Sequence, residues 1–391
     1  MQGGQNGGIS PLVLCGFAVA SSGGPLAIAT LYALSSAGLP PGALPRAMVL
    51  GIVIFAAPLW IWLSYSRRLA TAGGLYAFAR AAAGEPFAWW QGVVWSFSYL
   101  LYLPYTVTYI VYYLLPAFTH LSARADIVLQ LGLPVLISVL VASGRRVWLG
   151  LLLISSVLQI GAVAVFGLLA LLHPVAAYPT ASAPTGPALP LAGGVQMASL
   201  FVCISLVLYL GDEAAGGAPA LRRALFGAFA AVAATSLFAA AVLAARATPA
   251  VAASSFPGVT LARLDGGVGA AAAVGLLTLL SVAGLIVSEY VALSRLWREM
   301  FGYDTRRSIL AIGAWFVATD ALGLIHPHRF YNVSIIPSLV ALFVSQVMVF
   351  AVYPLFAKRE GALRVVPVLL TAVALAWALF GLYSALVTPA S

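Results

Sequence analysis

Long apolar runs follow one another along the whole chain, and they restrict its fold more than any other feature. Eleven runs are long enough to cross a hydrocarbon core of about 30 Å as helices; they are 11–37, 45–66, 88–116, 126–143, 147–172, 188–211, 222–245, 267–293, 308–325, 331–357 and 364–388. Only 7% of the residues are charged, whereas a soluble domain has roughly 25%. The sequence therefore predicts an all-α polytopic membrane protein, with one transmembrane domain over 1–391.

The basic residues indicate how the spans cross the membrane. With eleven spans and a cytoplasmic N-terminus, 14 of the 19 Lys and Arg residues fall on the inner side and 5 on the outer side. Short cytoplasmic loops carry an excess of Lys and Arg. We therefore expect a multi-pass protein of the cell membrane with a cytoplasmic N-terminus and an extracytoplasmic C-terminus. The net charge of +9 follows from this topology and does not indicate nucleic-acid binding.

The first apolar run contains residues that an ordinary buried helix avoids. Ser21, Ser22, Gly23, Gly24 and Pro25 stand at its centre. In a helix interior Gly costs about 1 kcal/mol and Pro about 3 kcal/mol relative to Ala, and Pro lacks the N–H of the helical hydrogen bond. We expect two half-helices joined by unwound backbone, which a bilayer tolerates only beside protein or a water-filled cavity. The stretch is a candidate substrate site; the alternative is a seam of small residues for helix packing.

A second segment resembles a known family. The run from Thr71 to Tyr76 (TAGGLY), followed by 79–84 (ARAAAG) and 91–92 (QG), resembles the segment after the second helix in the amino acid–polyamine–organocation superfamily. The broken first span, the pair 294–295 (SR) and the acidic pair 212–213 (DE) fall in the order that the superfamily shows.

This resemblance implies the leucine-transporter fold. In that fold five helices repeat with inverted topology, and helices one and six are broken at mid-membrane. The two repeats would occupy 11–172 and 188–357, and 364–388 would be an extra C-terminal helix. The eleven predicted spans are compatible with this arrangement, because span one starts inside and span six starts outside.

The resemblance also implies a function. It indicates a secondary transporter that moves amino acids or related amines across the lipid bilayer by alternating access. It implies no cofactor beyond a possible coupling proton or sodium ion, and the oligomeric state stays unknown. The alternative is an amino acid sensor or subunit that keeps the fold without transport. An enzyme is not indicated, since the sequence has no Ser-His-Asp order, and no residues have metal-ligand spacing.

The substrate site is expected at the breaks of spans one and six. A half-helix N-terminus exposes N–H groups and a positive dipole end, which suit a carboxylate. In span six we favour a break at 201–205, with Phe201 over the substrate, over a break at 209–211. The tyrosine-rich third span contributes Tyr102 or Tyr99. The substrate-binding candidates are Ser21, Ser22, Gly23, Gly24, Phe201, Val202, Cys203, Ser205 and Tyr102.

Four further residues are candidates for ion or proton coupling. Ser281 matches a cation-binding position of sodium-coupled relatives, and its alternative role is a bond to its own helix. Gln159 stands where many proton-coupled or exchanging members have Lys, so their coupling mechanism cannot be transferred. Glu289 and Asp320 are carboxyls within spans, which are costly unless functional; each is either a proton carrier, a partner for a cationic amine, or half of a structural pair.

A cytoplasmic gate is expected in the segment after span two. It would comprise Gly73, Gly74, Tyr76 and Arg80, and it would help to close the inner side. The outer segment 248–266 could hold short helices that act as a lid.

Overall fold

The computed structural model describes residues 7–35, 39–172, 188–246, 248–362 and 364–387. These residues are almost entirely helical. The helices are α1 (Pro11–Ser21), α2 (Gly24–Ser35), α3 (Leu44–Tyr65), α4 (Gly74–Ala83), α5 (Glu85–Tyr109), α6 (Ala123–Ala142), α7 (Arg145–Leu172), α8 (Ala188–Ser199), α9 (Gly217–Ala245), α10 (Pro249–Ala252), α11 (Pro257–Phe301), α12 (Thr305–Gly323), α13 (Pro327–Arg359) and α14 (Val365–Val387).

Ten stretches of the described chain are long and apolar enough to cross a membrane. They correspond to ten of the eleven predicted spans. The remaining one, 308–325, forms α12, which is helical but is not among the ten. The segment 173–187, between the two predicted repeats, lies outside the described residues.

The first span is interrupted where its composition predicts. α1 ends at Ser21, and α2 begins at Gly24. Gly23 and Gly24 have φ angles of 78° and 66°, a left-handed conformation that costs a residue with a Cβ roughly 1–2 kcal/mol. Pro25 lies in the first turn of α2, where its missing N–H leaves no helical hydrogen bond unmade.

The sixth span changes its helix type instead of unwinding. α8 ends at Ser199, and a 3-10 segment runs from Val202 to Glu213. Between them Leu200 and Phe201 donate their N–H groups to the third residue back, over 3.2 Å each. This change of helix type lies at the start of the break favoured from the sequence, 201–205. A second departure from helical backbone angles occurs at Leu210.

Helix packing follows the pattern of two inverted repeats. α1 packs on α9 as α8 packs on α3, and α5 packs on α13 as α7 packs on α11. α6 packs against α12, its counterpart in the other repeat, while α14 lies outside this ten-helix core against α13 and α3. The fold class is therefore a 5+5 core with interrupted first and sixth spans. We call the end of the bundle where α1 begins the N-terminal face.

Candidate functional site

A cavity of about 270 Å³ lies where the two interrupted spans meet. Ser22, Gly23, Thr106 and Ser199 supply polar groups to its wall. Aromatic and aliphatic side chains form much of the remaining wall, including those of Tyr102, Tyr105, Tyr109, Tyr331, Val282 and Leu285. None of the described residues that line this cavity is ionisable as a base or a carboxylic acid, so its interior is apolar with a few hydrogen-bonding groups.

The ends of two half-helices form one side of the cavity. α1 ends beside Ser22, and α2 starts at Gly24. The first N–H groups of a helix and its last carbonyls have no partner within the helix. The start of α2 therefore favours an anionic group and the end of α1 a cationic group. A zwitterionic head group meets both requirements.

Five of the nine predicted substrate residues line this cavity. They are Ser22, Gly23, Tyr102, Val202 and Cys203. The other predicted residues, Ser21, Gly24, Phe201 and Ser205, are not part of its wall. The cavity is also lined by Tyr331 and Thr106, which the sequence did not single out.

Three of the four residues outside the wall, Ser21, Ser205 and Phe201, have structural contacts instead. Ser21 Oγ lies 2.9 Å from the carbonyl oxygen of Cys203 and links the two interrupted spans. Ser205 donates its hydroxyl hydrogen to the carbonyl of Val202, at 2.8 Å. Phe201 packs between Phe55 and Phe229, with ring centroids 5.5 and 5.2 Å apart. Phe201 thus faces away from the cavity, contrary to its expected position over the substrate.

Gln159, Ser281 and the first-span break meet in one hydrogen-bonded junction. The hydroxyl of Ser281 donates to the carbonyl of Gly23 and also lies 2.5 Å from Gln159 Oε1. Gln159 Nε2 donates to Ser155 Oγ at 2.7 Å. A Cβ on Gly24 would lie 1.4 Å from Gln159 Oε1. The neutral amide of Gln159 therefore fills the space between the break and α11.

Glu289 lies close to the cavity without lining it. Its side chain is fully buried, and neither of its carboxyl oxygens has a hydrogen-bond partner among the described residues. It interacts electrostatically with Tyr99, Tyr102 and Cys203.

Asp320 lies apart from Glu289, at the packing of α12 against α6. Its Oδ1 accepts a hydrogen bond of 2.6 Å from Gln130 Nε2, which also lies 2.9 Å from Thr108 Oγ1. Asp320 is not among the residues lining the cavity. Its contacts are those of a buried polar link between helices.

Closely packed aromatic rings separate the cavity from the N-terminal face. Tyr99 Oη lies 3.8 Å from Cys203 Sγ at the cavity wall. Trp95 packs against both Tyr99 and Tyr209, with ring centroids 4.2 and 4.6 Å away. A Cβ on Gly74 would lie 2.8 Å from the ring of Tyr209. A glycine at this position thus lets α4, the segment predicted as a gate, close over the aromatic rings.

The other predicted gate residues fasten α4 to its neighbours. Arg80 pairs with Glu299 of α11 at 2.8 Å, and its guanidinium carbon lies 5.4 Å from the ring centroid of Tyr76. Tyr76 donates its hydroxyl hydrogen to Glu85. Burial and this hydrogen bond raise the pKa of Tyr76 to about 12, so the phenol stays protonated as a donor at physiological pH. Gly73 is the N-cap of α4, and a Cβ at this position would lie 3.2 Å from Glu299 Cγ.

An ionic cluster closes the N-terminal face. Glu213 pairs with Arg295 at 2.7 Å and with Arg145 at 3.2 Å. Arg145 also donates to the carbonyl of Gly7 at 2.9 Å, and the N–H of Ile9 donates to the carbonyl of Glu213 at 2.7 Å. We call these five residues the N-terminal clamp. They join the chain before α1, the 3-10 segment, α7 and α11.

The opposite end of the cavity continues into a second, wider one. This vestibule of about 600 Å³ shares Tyr109, Leu200 and Tyr331 with the first cavity. Phe256 and Phe380 lie further along its wall. The conformation is therefore closed at the N-terminal face, with space leading from the cavity towards the opposite face.

No protein-family profile matches the chain, and no curated protein matches it in sequence. Solved structures do match its fold. A Na⁺-coupled sialic acid symporter in a substrate-bound, outward-open state has a TM-score of 0.63 at 10% identity, over 98% of this chain and 90% of that one. MHP1, a nucleobase-cation-symport-1 family transporter with bromovinylhydantoin bound, has a TM-score of 0.59 at 14% identity, over 97% and 92%. MhsT in complex with L-phenylalanine has a TM-score of 0.56 at 16% identity, over 95% and 98%.

These similarities establish the fold. The leucine-transporter fold predicted from the sequence resemblance is confirmed by helix order, interrupted spans and matched structures together. Since the matched proteins are symporters and transporters of different substrates, the fold is one that supports membrane transport and leaves the substrate open.

Proposed function

We propose that this protein is a secondary transporter that moves a small zwitterion, an amino acid with a bulky apolar side chain, by alternating access. The observation that carries the proposal is a mid-membrane cavity at the termini of two half-helices, with one approach closed and the other open. Binding between discontinuous helices at mid-membrane is characteristic of such transporters. One matched structure, that of MhsT, holds L-phenylalanine.

The walls of the cavity support this substrate class. The start of α2 and the end of α1 suit a carboxylate and an amine. Tyr102, Tyr105 and Tyr331 with Val282 and Leu285 offer the rest of the substrate an aromatic and aliphatic environment. A substrate with a charged side chain would find no opposite charge among the described lining residues. Burying such an unpaired charge is costly.

The proposed orientation places the N-terminal face in the cytoplasm. The ion pairs of this face include Arg68, Arg80, Arg145, Arg295 and Arg298. All five lie in segments that the excess of basic residues assigns to the cytoplasm. The vestibule then opens outward, and the clamp together with α4 forms the cytoplasmic gate.

Filling the cavity tests the proposal. We expect wild-type protein in proteoliposomes to exchange labelled L-phenylalanine or L-leucine. The variant Val282→Trp should bind these substrates at least tenfold more weakly, because the indole ring occupies the substrate space. Leu276→Trp is the matched control, since residue 276 lies on the same helix and is 57% exposed. A wild-type protein that moves no member of a broad amino acid panel would refute the proposal, and binding without flux would favour the sensor alternative.

Sodium should not stabilise this protein. Ser281 already joins the Gly23 carbonyl to the amide oxygen of Gln159, where sodium-coupled relatives are expected to hold the ion. An ion at 100 times its Kd would stabilise the folded state by about 2.7 kcal/mol. We expect the same unfolding temperature in sodium chloride, potassium chloride and choline chloride of equal ionic strength. A higher unfolding temperature in sodium alone would contradict the proposed role of Gln159.

A further inference from the structure

Glu289 shares a helix face with two residues of the cavity wall. Val282, Leu285 and Glu289 are three and four positions apart, so they lie along one side of α11. The first two line the cavity, and Glu289 lies one turn closer to the N-terminal face. Arg295, six residues further, is held by Glu213 of the clamp. The carboxyl therefore lies between the substrate cavity and the closed gate.

Among the described residues, none that faces Glu289 compensates a negative charge. The titratable groups that face it are Tyr99, Tyr102 and Tyr105 from α5 and Cys203 from the 3-10 segment. All four are neutral acids at physiological pH, and no basic group is among them. Both carboxyl oxygens are buried without a partner among the described residues. An ionised carboxylate there would lose its hydration without gaining an ion pair.

We propose that Glu289 is a proton-binding site linked to the N-terminal gate: it holds a proton while that face is closed and releases it when the face opens. This inference deepens the proposed transport function and rests on it. When the 3-10 segment and α4 move away, water reaches the carboxyl. The O–H bond then breaks, the proton passes to water, and a hydrated carboxylate remains. Closing the gate again requires the proton to return.

The linkage has a defined sign. Because the closed conformation binds the proton more tightly, low pH favours the closed gate and high pH favours the open gate. For one linked proton, the ratio of open to closed molecules changes by at most about tenfold per pH unit. Gln159 supports a proton as the linked ion, since its amide fills the place where a sodium ion would be expected.

Spin labels across the N-terminal face can measure this linkage. Arg67, after α3, and Arg306, at the start of α12, are both exposed and lie outside the clamp. Labels on Arg67→Cys and Arg306→Cys, in a background with Cys15→Ala, report the opening by electron–electron distance measurements. Cys203 is kept because it faces Glu289, and it is only 8% exposed in the closed conformation in which the labels are attached. We expect the long-distance population of the protein with Glu289 intact to rise between about pH 5 and about pH 9, because this range lies above the ordinary pKa of a hydrated glutamic acid, about 4.3, so that each rise in pH favours the open conformation with its hydrated carboxylate.

Glu289→Gln imitates the protonated carboxyl. We expect this variant to remain closed at every pH, with a change in the open-to-closed ratio of less than twofold. Asp320→Asn is the matched control, because Asp320 is buried but hydrogen-bonded to Gln130, away from the cavity; it should keep the wild-type pH dependence. If Glu289→Gln does not fold, Glu289→Met provides a second neutral side chain of similar length.

Infrared spectroscopy provides an independent measurement. The wild-type protein at neutral pH should show the C=O stretching band of a protonated carboxyl without a hydrogen bond, and Glu289→Gln should lack it. Wild-type pH dependence retained in Glu289→Gln, or the absence of this band from the wild type, would overturn the inference. Neither measurement uses a substrate, so failure of the transport proposal in the uptake assay is a separate result.

Discussion

Replacing Gly24 by alanine should destabilise the protein by several kcal/mol and abolish substrate binding, whereas Gly23→Ala should cost about 1–2 kcal/mol. Both glycines have positive φ angles, of 66° and 78°, so both alanines suffer similar backbone strain. Their surroundings differ. The nearest atom to a Cβ on Gly23 is a methyl carbon of Leu285 at 3.7 Å, whereas a Cβ on Gly24 would lie 1.4 Å from Gln159 Oε1 and 2.5 Å from Ser281 Oγ.

The clash at Gly24 is costly because the displaced groups are buried and hydrogen-bonded. Gln159 and Ser281 have no exposed surface. Moving the amide breaks its contacts with Ser281 and Ser155. Each buried polar group left without a partner costs about 1–3 kcal/mol. The half-helix ends that form the head-group site would shift with them, which is why binding should be lost together with stability.

A double variant separates this clash from general strain. Gly24→Ala combined with Gln159→Ala removes the obstructing side chain and should recover part of the lost stability. The expected coupling energy is about 0.5–3 kcal/mol, as is usual for contacting residues. Denaturant or thermal unfolding of the purified single and double variants measures this coupling. If Gly24→Ala and Gly23→Ala were equally stable, the packing of Gln159 against the break would not be the cause.

The interruption of the first span could be predicted because it depends on local chemistry. Two glycines and Pro25 destabilise a helix wherever it is packed. The orientation of Phe201 could not be predicted in this way. In a 3-10 helix, residues three positions apart lie above one another. Ser199 and Val202 therefore line the cavity together. Phe201 lies on another face of the helix and packs against Phe55 and Phe229. A sequence pattern does not reveal the change from α to 3-10 geometry that sets this face.

Contacts between residues far apart along the chain could not be predicted from the sequence either. The acidic pair at 212–213 was placed by resemblance, but nothing local indicated its partners. Glu213 reaches Arg145 and Arg295, which are 68 and 82 positions away. Gln159 was identified as a neutral replacement for Lys, whereas its bond to Ser281 follows only from helix packing.

Replacing Glu213 by glutamine should open the N-terminal face and expose the cavity from that side. The Glu213 side chain is 11% exposed and its partner Arg295 10%. Breaking such a buried ion pair costs about 3–5 kcal/mol, because the remaining charge has no compensation. This cost applies to the closed conformation, where the clamp is formed. Since 1.4 kcal/mol is a factor of ten in an equilibrium, a loss of about 3 kcal/mol moves the open-to-closed ratio more than a hundredfold.

Cys203 reports this opening directly. It lines the cavity and is 8% exposed in the closed conformation. In a Cys15→Ala background, a maleimide applied from the N-terminal face should modify Cys203 at least tenfold faster in Glu213→Gln than in the parent. Glu360→Gln is the matched control, because it breaks the ion pair between Glu360 and Arg68. The side chain of Glu360 is 33% exposed and that of Arg68 is 69% exposed, and exposed ion pairs contribute only about 0–1 kcal/mol to stability. Equal labelling rates in Glu213→Gln and Glu360→Gln would mean that the clamp does not hold the gate closed, and the closure would then have to come from the packing of α4 on Tyr209.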